Sequence, residues 1–118
     1  MIIIAEEDTR QEEATPHGKI GTSTAFRLTA NVPNRTMEFR KRILHRGAAI
    51  GAHPIDHDEV YYVVSGDGEV FSNDNSHTLG SGMMAYLYRG DTVGIRQVGE
   101  APLEMIISYP LEREGGEA

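Results

Sequence analysis

Two imidazoles and a carboxylate stand close together at His53, His57 and Glu59, within the stretch Gly47–Gly66 that reads GAAIGAHPIDHDEVYYVVSG. Imidazole nitrogen and carboxylate oxygen are the usual ligands of first-row divalent metals. Three such ligands with open positions suit a catalytic ion, because water or substrate completes the coordination. Residues i and i+2 of a strand share a face. A strand beginning by Asp56 would point His57 and Glu59 the same way, with Pro54-Ile55-Asp56 turning His53 back toward them. The ion expected there is a transition metal: Fe, Mn, Ni or Zn. The competing arrangement has no metal: His53 and Glu59 hydrogen-bond to each other, and His57 sits exposed beside Asp56 and Asp58.

The elements that must hold these groups are strands. The run VYYVV after Glu59 is a strong strand former. Thirteen glycines, no long helical period and several short alternating runs predict an all-β domain. Strands are predicted at Ile2–Ile4, Ala25–Thr29, Met37–His45, Val60–Ser65, Glu69–Ser72, His77–Leu79, Met84–Tyr88, Val93–Val98 and Leu103–Ser108. Turns fall at Gly66-Asp67-Gly68, Asn73-Asp74-Asn75 and Gly80-Ser81-Gly82. Residues 5–24 hold little apolar material and are expected as a loop or arm.

A chain of 118 residues suits one domain. It has no cysteine, which excludes disulfides and thiolate metal sites and fits a cytoplasmic location. The opening MIII is too short for a signal peptide, and no apolar run reaches the length of a membrane span. A net charge of −7 argues against nucleic-acid binding.

The segment Gly47–Gly66 resembles the first sequence motif of the cupins. Gly47, His53, Glu59 and Gly66 fall at its glycine, first histidine, glutamate and closing glycine, while its second histidine position is Ile55. The family's second motif has a counterpart in GMMAYLYRGDTVGIRQ, Gly82–Gln97. Gly82 and Gly90 match there; the proline, histidine and asparagine positions are Tyr88, Val93 and Gln97. The resemblance implies a jelly-roll barrel (a double-stranded β-helix), a site inside one mouth, and a homodimer. The expected division is an arm or edge strand over 1–24, a cupin domain over 25–110 and a flexible tail over 111–118. A usual cupin site has three histidines and one glutamate, so this chain has lost half of that set, and His57 is the one residue able to compensate.

Alternation suggests what else lines the mouth. Glu59, Tyr61 and Val63 share a side, and the family match puts Val93, Ile95 and Gln97 inward. Tyr86 and Tyr88 share a side with Met84. On the basic strand Arg40, Arg42 and Leu44 face one way, and arginines turned inward would clamp an anion. His17, His45 and His77 are expected at the surface. The expected function is a cupin that binds a polar, anionic small metabolite, with Arg40, Arg42 and Gln97 holding it. As a metal-assisted isomerase, lyase or oxygenase it would use His53, His57 and Glu59 as ligands, with Tyr61 or Tyr86 as proton donor. The alternatives are a metal-free epimerase-type enzyme with His53 as base, and a non-catalytic binding or sensing protein. The dimer would form through MIII on a neighbour's sheet edge or through the outer face carrying Phe39 and Ile43.

Overall fold

The computed structural model describes residues 1–111. The expected tail lies outside the described residues, apart from Leu111. Ten strands follow a single 3-10 turn at Glu6–Thr9. They are β1 Arg10–Ala14, β2 Thr22–Arg27, β3 Met37–Leu44, β4 Ala49–Pro54, β5 Glu59–Ser65, β6 Asp67–Phe71, β7 Ser76–Leu79, β8 Met84–Leu87, β9 Thr92–Val98 and β10 Leu103–Pro110. Two antiparallel sheets result, with strand orders β1-β2-β3-β10-β5-β8 and β4-β9-β6-β7. This is the all-β domain that the alternating runs and glycine turns predict, in the jelly-roll arrangement that the resemblance implies.

Each sheet turns an apolar face inward. Along β5 the residues Glu59, Tyr61 and Val63 are buried and Tyr62 and Val64 are exposed, as the two-residue period demands. Val93, Ile95 and Gln97 do the same on β9. Leu44, Val63, Ile95, Leu103 and Met105 are fully shielded from solvent and form the centre of the core.

Three predicted elements differ. Ile2–Ile4 form no strand; these residues run exposed ahead of the 3-10 turn. A strand former needs an adjacent edge, and propensity alone supplies none. Conversely, residues 5–24 contain β1, an edge strand of polar composition, RQEEA. Its ladder with β2 and its carboxylates bonded to Thr24, Arg27 and Arg42 hold it in place of apolar burial. Charged edge strands are a common way to protect a sheet margin. Finally, β4 lies inside the motif itself, so His53 ends one strand, His57 lies in a loop and Glu59 opens the next strand.

The register of β4 explains why His53 faces inward. Ile50 pairs with Ile95, yet His53 pairs with Val93. Three steps along β4 therefore match two along β9, which is a β-bulge. Regular alternation from buried Ile50 would point Ala52 and Pro54 inward. The bulge instead turns in His53 and then Ile55. Gly94 permits it, because a Cβ there would collide with the Ile50 carbonyl oxygen and the Phe71 ring. Bulges commonly re-aim side chains beside functional sites.

Candidate functional site

A cleft of about 280 Å³ opens between the sheets at one end of the core. Arg27 of β2 and Arg40 and Arg42 of β3 line one wall. Ile50, His53 and Ile55 from β4 and its continuation line the opposite wall. Glu59 and Tyr61 of β5, Ile107 and Tyr109 of β10, Pro54, and Asp56 and His57 of the loop before β5 also line it, as do Pro16 and His17.

The arginines are held by carboxylates. Arg27 grips Glu13 with two bonds, Nη2 to Oε1 at 2.7 Å and Nη1 to Oε2 at 3.1 Å. Arg42 is buried; its Nη1 donates to Glu13 Oε1 at 3.0 Å and to Ser23 Oγ at 2.8 Å. Both bonds run through one nitrogen, so Nη2 and Nε are not committed to them. Arg40 Nε donates to Glu38 Oε1 at 3.3 Å, and its guanidinium lies 5.5 Å from the Tyr109 ring centroid. The hydrogen bonds and charge of Arg27, joined by those of Arg42, hold the Glu13 carboxyl below its ordinary range. Burial pushes Arg42 down, partly offset by Glu13.

The histidines are placed differently from the expected ligand set. His53 Nδ1 lies 2.9 Å from the Gly51 carbonyl. A carbonyl only accepts, so Nδ1 carries the proton, and Nε2 is the acceptor in the neutral ring. The His53 ring stacks on His17 with centroids 3.7 Å apart. His57 stacks on Tyr109 at 4.0 Å, with its buried Nδ1 3.7 Å from Glu59 Oε1 and no hydrogen-bond partner among the described residues.

Metal chemistry is what the cupin motif implies, and the donor set can be tested against it. His53, His57 and Glu59 line one cleft, but no three His, Cys, Asp or Glu among the described residues are grouped to hold an ion. The two missing histidine positions are filled by Ile55 and Val93, both buried and both part of the apolar core. His57 forms no ligand cluster with His53 and Glu59: its ring stacks on Tyr109 with Nδ1 3.7 Å from Glu59, while the His53 ring stacks on His17. The residues present do not fit a cupin metal site.

Two other expected site residues lie elsewhere. Gln97 is buried but spans a turn: its Nε2 donates to the carbonyls of Val98, Gly99 and Ala101, and its Oε1 accepts from Gly47 N. All its polar atoms are consumed in that role. Tyr86 is about half exposed outside the cleft and donates to Asp58 Oδ2 at 2.7 Å. Tyr61 does line the cleft, where burial and then the Glu59 charge push its phenol up and keep it protonated. Sequence reasoning missed Arg27, Tyr109 and His17. Extending the alternation of β10 two residues past Ile107 would have found Tyr109; nothing local marks His17.

Glu59 is 8 % exposed; its carboxylate accepts no hydrogen bond from the described residues, and His57 Nδ1 stands 3.7 Å away. Burial pushes its pKa up, and the charges of His57, His53 and Arg40 oppose this. A carboxyl raised in the folded state binds more protons folded than unfolded just above 4.5, its ordinary value. It therefore lowers stability as pH rises through that window. Glu59→Gln is expected to stabilise the fold at pH 7 by roughly 1 kcal/mol. The gain should vanish below the unfolded carboxyl value. Urea midpoints at pH 7 and pH 4, at unchanged m-value, measure it.

No family model matches the sequence, and no curated protein does. Solved structures do match. A predicted oxalate decarboxylase from Thermotoga maritima aligns over 94 % of this chain and 100 % of its own, with 21 % identity and a TM-score of 0.81. The polyketide cyclase RemF from Streptomyces resistomycificus aligns over 96 % and 81 %, with 16 % identity and a TM-score of 0.81. A cupin 2 conserved barrel domain protein from Rhodopseudomonas palustris aligns over 89 % and 74 %, with 14 % identity and a TM-score of 0.73. Together with the two-sheet topology and the motif residues, these likenesses show that the chain folds as a small cupin. No helix among the described residues is long and apolar enough to cross a membrane.

Proposed function

We propose that this cupin binds a small carboxylate metabolite in the cleft between β3 and β4. One observation carries the reading: three guanidiniums, Arg27, Arg40 and Arg42, line the same wall. Guanidinium binds carboxylate in a planar, two-pronged way and stays charged when partly buried. Glu13 is shared between two of these cations, and Glu59 sits under pressure to be neutral, so the wall favours one more negative charge. The volume lies just below the range that takes drug-sized ligands, which favours a small acid. Two of the similar structures carry enzyme names, a polyketide cyclase and a predicted oxalate decarboxylase, which favours a small-molecule occupant.

The chemistry these residues suit is general acid–base catalysis. His53 offers Nε2 as base and Tyr61 a held proton as acid, on either side of the bound carboxylate. Calorimetry with malonate, and with uncharged malonamide as control, tests the binding. Malonate is expected to bind one to one and more weakly as salt is raised. Equal response to both compounds would end the reading.

The active unit in this reading is a homodimer. Met37, Phe39, Tyr62, Val64, Met84 and Tyr86 form an exposed apolar outer face on the six-stranded sheet. Sedimentation of the same samples should give twice 13.0 kDa; a monomer at every concentration excludes the dimer.

A further inference from the structure

The loop between β1 and β2, residues 15–21, crosses from one sheet to the other beside the cleft. It leaves the six-stranded sheet at Ala14 and lies against β4, the edge strand of the four-stranded sheet. Two backbone bonds tie it there: Gly51 N donates to the His17 carbonyl at 2.9 Å, and Ala49 N donates to that of Ile20 at 3.0 Å. The Gly51 peptide thereby holds both stacked histidines, since its own carbonyl accepts from His53 Nδ1. The close approach is built into the sequence. A Cβ on Gly51 would run into the His17 carbonyl oxygen, and one on Gly21 would meet the Ala48 backbone.

This attachment works against backbone strain. His17 and Lys19 adopt φ of 59° and 56°, in the left-handed region that disfavours L-residues. Two hydrogen bonds and one ring stack are of the same size as the strain of two such residues. Residues 16–20 are thus seated with little net gain, while the base of the loop is closed by buried Thr15, whose N–H donates to the Gly21 carbonyl at 3.3 Å. Strained residues that persist at a cleft rim point toward a function for them. Thr15 at the base of this segment is fully buried, and beyond it Pro16 and His17 line the cleft, the His17 ring covering that of His53.

We propose that residues 16–20, between the buried Thr15 and Gly21, whose carbonyl accepts from Thr15 N, are a strap that lifts to admit a carboxylate and reseats to hold it, with His17 as a ligand-contacting residue. The inference rests on the carboxylate reading of the cleft and adds a moving part to it. His17 faces Arg42 and Arg27 across the cleft, so its ring bounds the space in which a carboxylate on those guanidiniums sits. The strap also selects for length, because a ligand protruding past His17 would keep it from reseating.

The test uses the full chain, malonate as probe, and amide exchange read by NMR. In the wild type, the Gly51 and Ala49 amides should exchange faster than their β9-paired neighbours. Malonate should slow both at least tenfold. His17→Asn keeps a residue that tolerates the left-handed backbone but removes the ring. It should leave the melting temperature unchanged, weaken malonate about tenfold and abolish the protection of Gly51. Unchanged affinity and protection in His17→Asn overturn the strap while leaving the carboxylate reading intact. Weaker binding without any effect of malonate on Gly51 exchange also overturns it, because His17 would then act without a moving strap. Absence of malonate binding in the wild type ends the carboxylate reading and the strap with it.

Discussion

Arg42→Met is expected to weaken malonate binding by at least about thirtyfold while leaving the barrel folded. Truncating one partner of a buried, hydrogen-bonded charge pair costs about 2–5 kcal/mol of affinity. Arg42 is only 4 % exposed, so the charge it offers a ligand is little screened by water. Methionine fills a similar length with no donor. The fold should tolerate the change because Glu13 keeps its two bonds from Arg27. The Ser23 hydroxyl loses the bond from Arg42 but still donates to the Glu13 carbonyl at 3.5 Å. Arg42→Lys should recover part of the affinity, since a point charge replaces a planar fork. Arg96→Met is the control: Arg96 pairs with Glu69 and lies over Phe71, away from the cleft. Binding within threefold of wild type in Arg42→Met, with Arg96→Met equally unaffected, would remove the clamp from consideration.

Alternation put Arg40 and Arg42 on one face in the sequence but left open whether that face turned inward. In the structure that face carries fully buried Leu44 and turns toward the cleft, taking Arg42 and Arg40 with it. Alternation likewise put Glu59 and Tyr61 on one side. It failed where the chain departs from regular alternation. His53 reaches the cleft only through a bulge, and a bulge shifts every later residue to the other face. His57 is off the strand of Glu59 for a separate reason: β5 begins only at Glu59, so His57 lies in the loop before it, with Nδ1 3.7 Å from the carboxylate. Gln97 faces inward as alternation requires, but its distance from the cleft depends on the turn at Val98–Ala101 that consumes its amide. His17 is the extreme case. Its position depends on two glycines, a hydrogen bond from Gly51 and an edge strand more than thirty residues further along the chain, none of which a local pattern announces.

Glu38→Ala is expected to destabilise the protein by about 2–3 kcal/mol and, unlike most such losses, to tighten malonate binding. Glu38 is 2 % exposed and collects bonds from Arg35 Nε at 2.8 Å, Thr29 Oγ1 at 3.2 Å and Arg40 Nε at 3.3 Å. Breaking a fully buried pair costs about 3–5 kcal/mol. Arg35 and Arg40 both reach solvent in part, so the lower figure applies. Burial pushes the Glu38 carboxyl up, but the bond from Arg35 and the charge of Arg40 outweigh it and the net shift is down. The stability it supplies is therefore present above the ordinary carboxyl value and fades as pH falls through its folded value. Wild type and variant should converge in acid, and urea unfolding across pH 3–7 reads that convergence. Malonate should respond in the opposite sense. Removing Glu38 releases Arg40 from its partner and leaves the cleft wall more positive, trading fold stability for ligand affinity. Weaker malonate binding in Glu38→Ala would show that Arg40 must be held by Glu38 to act. That result would move Glu38 from a restraint on the clamp to a part of its positioning.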